Sequence, residues 1–181
     1  MAWQRVLARA DLWTGELRGV NVGGHRTFRP SELAKGLAKF DVVNIGAAGT
    51  FVVRKPGTKA KFLAALKKRL PVQCEVIVAE GKELLRLEKD HPFGAEEKDV
   101  VRFVSTALGT KAPSMPLPFA LPESDQWLVR VIGHDKQFAF GEYRRHMKTI
   151  GYLSQLDKLF GATRTTRNWN TIAQIIKVLR S

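Results

Sequence analysis

The chain has 181 residues, 44% of them hydrophobic, with 30 Lys and Arg against 17 Asp and Glu for a formal charge of +13. That is enough for one larger domain or two very small ones with a real core, and no stretch approaches the ~18 consecutive apolar residues of a membrane span. The single cysteine, Cys74, excludes an internal disulfide, and the opening MAWQRVLARADLW, broken by Arg5, Arg9 and Asp11, lacks a signal-peptide core, so a reduced, cytoplasmic setting is expected.

GELRGVNV (15–22) reads as a strand running into a glycine turn at Gly23-Gly24. A helix is expected over Pro30–Phe40, with Pro30 in its first turn, Glu32 complementing the dipole, and Leu33, Leu37 and Phe40 on one face. DVVNI (41–45) and TFVVR (50–54) are strands around the turn Gly46-Ala47-Ala48-Gly49. Thr58 caps a helix over Lys59–Leu70, whose Phe62, Leu63, Leu66 and Leu70 form the apolar stripe, and Pro71 ends it. VQCEVIVA (72–79) alternates as a fourth strand. A further helical piece covers GKELLRL (81–87).

Past EKDHPFG (88–94), DVVRFVSTAL (99–108) is a strand, and the four prolines of residues 109–124 predict an ordered connection or exposed loop rather than a regular helix. DQWLVRVIG (125–133) and KQFAFGEY (136–143) predict a hairpin over His134-Asp135. A helix over Tyr152–Phe160, a short strand ATRTTR (162–167) and a last helix complete the chain. The order β-α-β-β-α-β, repeated with its first helix replaced by the proline-rich crossover, is that of a split-βαβ unit. The expected fold is therefore α+β: two ferredoxin-like halves, residues 1–90 and 91–181, each an antiparallel sheet with helices on one face.

LRGVNVGG (17–24) and TTRNWNT (165–171), with the intervening HPF (91–93), resemble the paired signatures of the bacterial family called domain of unknown function 1697. The resemblance covers nearly the whole chain. It implies a two-part α+β fold with ferredoxin-like parts and no established activity. The chain departs from the family pattern in three places. Gly46-Ala47-Ala48-Gly49-Thr50 stands where the family carries a Gln-Ser-Gly-Asn type turn, the proline-rich loop replaces a helix, and an N-terminal extension carries Trp3 and Trp13.

A charge of +13 attracts polyanions, and nucleic acid is the commonest of them in a cytoplasm. Gly19–Gly24 has the glycine spacing of a phosphate loop, but His25 and Arg26 stand where that loop needs Lys and Ser or Thr. Arg18 and Asn21, beside Gly23 and Gly24, are candidates for an anion or partner contact. Phe138 and Phe140 share a face of their strand in a sequence like the RNA-recognition signature K/R-G-F/Y-G/A-F-V-x-F/Y, so they are candidates for base stacking; the competing reading packs them inside. His25, His91, His134 and His146 have no metal-ligand spacing, and Cys74 alternates with Val72, Val76 and Val78 like a small core residue.

The closing motif carries two readings at once. Trp169, Ile172, Ala173, Ile176 and Leu179 fall on one helical face, with Asn168 as the cap. Arg164, Thr165, Thr166, Arg167, Asn170 and Thr171 flank that helix start, where open N–H groups and the dipole attract an anion. The sequence thus points to a basic binding module for nucleic acid or another phosphate-bearing partner. The alternative is an enzyme of unknown reaction with a site between the halves, near Arg18, Asn21 and the closing motif. No metal, cofactor or membrane partner is expected, and the default state is a monomer or weak homodimer.

Overall fold

A computed structural model describes residues 12–18, 29–70, 74–90, 92–109 and 111–181. These residues form nine β-strands and five α-helices, an α+β protein with two antiparallel sheets. They group into two compact units: the residues up to Arg86 with Ala173–Ser181, and Leu87–Ile172. The last nine residues thus group with the first unit, whereas the sequence reading gave them to the second. Among the described residues no helix is long and apolar enough to cross a membrane.

The first unit contains β1 (Trp13–Arg18), α1 (Pro30–Gly36), β2 (Val42–Ile45), β3 (Thr50–Val53), α2 (Lys59–Lys67), β4 (Glu75–Glu80) and the start of α3 (Gly81–Asp90). Its strand order is β2-β3-β1-β4. Period-two alternation in β1 and β3 turns Leu17, Phe51 and Val53 to one face, where they meet Leu33, Leu37 and Phe40 and the Phe62 and Leu66 stripe of α2. Burying each of these large side chains stabilises by about 1.5–3 kcal/mol, which outweighs the marginal stability of helices this short. Thr58 caps α2 as expected, accepting a bond from the Lys61 N–H.

The helix expected over 30–40 is shorter. It ends at Gly36 and gives way to a 3-10 turn over Ala38–Phe40. A Cβ at Gly36 would lie 3.2 Å from Cδ and Nε of Arg69, so the Arg69 side chain would have to shift by a few tenths of an ångström to admit one, and the glycine weakens the helix. β1 also starts two residues earlier than expected, because Trp13 and Thr14 pair with Glu80 and Ala79 of β4.

The second unit contains β5 (Val100–Ala107), β6 (Phe119–Leu121), β7 (Val129–Asp135), β8 (Phe138–Arg144), α4 (Thr149–Phe160), β9 (Arg164–Asn168) and the first residues of α5 (Trp169–Arg180), with strand order β6-β7-β8-β5-β9. Leu156 and Phe160 of α4 pack on Phe103, Val129, Val131 and Ala139. Gly161 at φ 57° ends α4, with the Gly161 and Ala162 N–H groups returning to the Lys158 and Asp157 carbonyls.

Three expectations change here. The proline-rich crossover carries a short strand that was not expected, Phe119–Leu121, at the sheet edge beside β7. The hairpin turns at Lys136-Gln137 rather than His134-Asp135: Asp135 pairs with Phe138, and Lys136 takes φ 50°. α4 starts at Thr149, whose hydroxyl donates to the Arg144 carbonyl at 2.6 Å.

Candidate functional site

The closing motif folds as a strand that becomes a helix without a loop. Asn168 caps α5: its Oδ1 accepts the Thr171 N–H at 2.9 Å and the Thr171 hydroxyl at 3.0 Å. The buried stripe is Ile172, Ile175, Ile176 and Leu179; Ala173 is exposed and Trp169 half-buried. The stripe expected from Trp169 and Ala173 is therefore displaced around the helix. Trp169 instead meets the edge of Phe93, with ring centroids 5.0 Å apart.

Arg164 and Arg167 do not form one rim. In a strand, residues three apart point to opposite faces. Arg164 is only 3% exposed. Its Nη2 donates to the Ser105 carbonyl at 2.6 Å and the Gln137 carbonyl at 3.2 Å, and its Nε donates to the Ser105 hydroxyl at 3.2 Å. The guanidinium also lies 4.2 Å from the centre of the Phe160 ring. Burial pushes its pKa down to about 10, with Asp157 working in the other direction. The charge of Arg164 thus serves as a cross-strand fastener. Thr166 donates to the Ser105 hydroxyl, Thr165 is buried, and Arg167 donates to the Thr165 hydroxyl at 2.7 Å and the Thr166 carbonyl at 3.0 Å.

A polar cleft of about 230 Å³ opens beside the start of α5, lined on that side by Asn168, Trp169 and Asn170. Arg102 of β5, Glu142 and Tyr143 of β8, and Arg145, Glu96 and Glu97 complete its polar lining, with Val100 and Val101. Strand register brings the charges together: Glu142 pairs with Arg102 on one side and Arg130 on the other. Arg130 Nη2 donates to Glu142 at 2.5 Å and to Glu97 at 3.3 Å. Arg102 donates to the Gly94 carbonyl at 2.6 Å and to Glu96 at 3.3 Å, above the Phe93 ring.

Glu142 is 3% exposed, so its carboxylate is held in the interior by Arg130. The hydrogen bond to Glu142 in turn raises the Arg130 guanidinium above its ordinary value, against the effect of burial. Arg130 and Arg144 both lie over the Trp127 ring, at 4.5 Å and 4.3 Å. Arg145 is exposed and makes no ion pair with another described residue. Around the cleft, then, Arg102 and Arg130 bond its three carboxylates, while Arg145 makes no ion pair with another described residue.

Of the residues singled out from sequence, Asn170 lines the cleft and Thr171 completes the cap beside it. Arg18 lies at the end of β1, paired with Glu75 at 3.3 Å. Asn21, Gly23, Gly24, His25 and His91 lie outside the described residues. Phe138 is 1% exposed, so no base can stack on it. Phe140 is half-buried against Phe93, with centroids 6.3 Å apart. The aromatic strand packs inward because Phe138 and Phe140 add more stability inside than on a wet face.

His134 sits in β7, 5.4 Å from Phe160, where burial and then Arg164 lower its pKa. Cys74 is half-buried against the first core, and burial followed by Glu75 raises its thiol. Among the described residues, no group of three His, Cys, Asp or Glu side chains is placed to hold a metal ion. Arg102 and Arg145 escaped the sequence reading. Arg102 and Glu142 had a local signal, each being a charge inside an otherwise apolar strand.

Neither the curated proteins nor the solved structures yield a match to the chain. A family model described as "Protein of unknown function (DUF1697)" matches residues 17–118. That stretch includes β5 with Arg102, and both Glu96 and Glu97, while Asn168–Asn170 lie beyond it. The match spans more than half of the chain, and the protein belongs to the DUF1697 family.

Proposed function

We propose that the protein is a binding module for a small phosphate- or carboxylate-bearing partner, held in the cleft beside the first turn of α5. The observation that carries this reading is the convergence of Arg145, whose charge is not internally paired, with Asn170 and the helix start on one cleft. The first-turn N–H groups of a helix have no acceptor within it, and the dipole favours an anion there. Arginine adds a planar fork that can hold two anion oxygens. Arg164 has no part in this site, because its guanidinium is buried in the sheet with Nε and Nη2 bonded to Ser105 and Gln137.

Thermal denaturation at constant ionic strength, with and without inorganic phosphate, tests the proposal. The wild type is expected to be stabilised in a saturable way, by about 2.7 kcal/mol at a hundred times Kd. Arg145→Ala should fold normally and lose that stabilisation. Equal stabilisation of both proteins, or of neither, overturns it.

A finer fold reading belongs with this proposal: each unit is a ferredoxin-like half, the two divided near residue 90. The equivalent orders β2-β3-β1-β4 and β7-β8-β5-β9 support it, with β6 an addition at the edge. An experimental structure with helices on both faces of either sheet would count against it.

A further inference from the structure

Residues 29–70 carry ten Lys and Arg against only Glu32 and Asp41, a net +8 of the chain's +13. Less than a quarter of the sequence therefore holds most of the charge. The reason it stays on the surface is local. α1, the 3-10 turn and α2 each bury one stripe, Leu33, Leu37, Phe40, Phe62 and Leu66, which leaves Lys35, Lys39, Lys67, Lys68 and Arg69 exposed.

These five side chains form one patch. Arg69 lies against Gly36, its Cδ and Nε 3.2 Å from where a Cβ would stand, so the end of α2 abuts the end of α1. Lys39 Nζ sits 4.9 Å from the Phe40 ring, and Phe40 packs edge-on to Phe62 of α2 at 5.4 Å. Lys35 is paired with Glu32 at 3.0 Å. Lys39, Lys67 and Lys68 make no ion pair with another described residue.

We infer that this patch of the first unit docks the phosphate backbone of nucleic acid without sequence preference. It rests on residues other than those of the cleft. Lysines are point charges suited to phosphates. The two helices carry no Asn or Gln with which to read base edges. An anionic membrane is the weaker partner, because surface-lying helices need an apolar face to insert. The exposed large apolar residues of the described chain are Leu108, Met147 and Ile150, all outside residues 29–70. The outward positions of α2 between its lysines are Ala60 and Ala64.

Fluorescence anisotropy of the full chain with a labelled duplex of about 20 base pairs, and with a single strand of about 20 nucleotides, tests this at several salt concentrations. The expected Kd lies in the non-specific range of about 10⁻⁶–10⁻⁴ M, falling in affinity as salt rises. Lys67→Glu with Lys68→Glu should weaken binding at least tenfold. Lys67→Ala with Lys68→Ala, which spares the helix end an unfavourable charge, should flatten the salt slope by about 1.8 for duplex. Lys111→Glu with Lys158→Glu makes the same change in net charge at exposed positions of the second unit, and is expected to change affinity less than twofold. Equal losses in the two Glu variants would make the effect one of bulk charge and overturn the proposal. So would the absence of binding to either nucleic acid, or binding only to vesicles of anionic lipid in a parallel sedimentation assay.

Discussion

Around α1 and α2 the cations stand on the surface with few carboxylates near them, whereas in the second unit Arg102, Arg130, Glu96, Glu97 and Glu142 bond to one another beside aromatic rings. The contrast follows from where each charge sits on its element. In α1 and α2 the charges occupy the outward face, where water solvates them and pairing adds little. On the second sheet they occupy positions inside apolar strands, so register must supply a partner or the fold loses stability. Charge on the outward faces of α1 and α2 is therefore available to a partner, whereas the paired charges within the second sheet are structural.

Removing an internal partner should have the largest effect. Arg130→Ala leaves Glu142 buried without its closest counter-ion and is expected to cost about 3 kcal/mol in urea unfolding. The double variant with Glu142→Ala should cost less than the sum of the two singles. A loss under about 1 kcal/mol for Arg130→Ala would place the pair with ordinary surface ion pairs and break the contrast.

The helix cap beside the cleft comes next. Asn168→Ala should cost about 1 kcal/mol, and Asn168→Asp should recover most of it, because either side chain can accept the Thr171 N–H. If Asn168→Asp is no better than the alanine, Asn168 acts through something other than its cap.

The smallest effect is expected in the first unit. Lys35→Ala removes an exposed i,i+3 pair with Glu32 and should change unfolding free energy by less than about 0.5 kcal/mol. A loss comparable to that of Arg130→Ala would show that the patch is structural rather than a surface held ready for a ligand.

Much of this was legible along the chain. The 3.6-residue stripes of Phe62 and Leu66 and of the final helix announce buried helical faces, and Thr58 and Asn168 announce caps, because these signals act over one or two turns. The opposite orientation of Arg164 and Arg167 was implied once ATRTTR was read as a strand, since the period of two leaves no alternative. What no local pattern contains is the partner across the sheet. Ser105 meets Arg164 from 59 residues away, and Glu142 meets Arg130 only because β7 and β8 pair in one register. The small strand Phe119–Leu121 exists because β7 offers it an edge, despite prolines that argue against a strand. Sequence determined which segments are helix or strand and which faces are apolar, through propensities and periods spanning a few residues. Tertiary structure alone decided which charges are neutralised and which remain exposed, because that depends on pairing between residues distant in the chain.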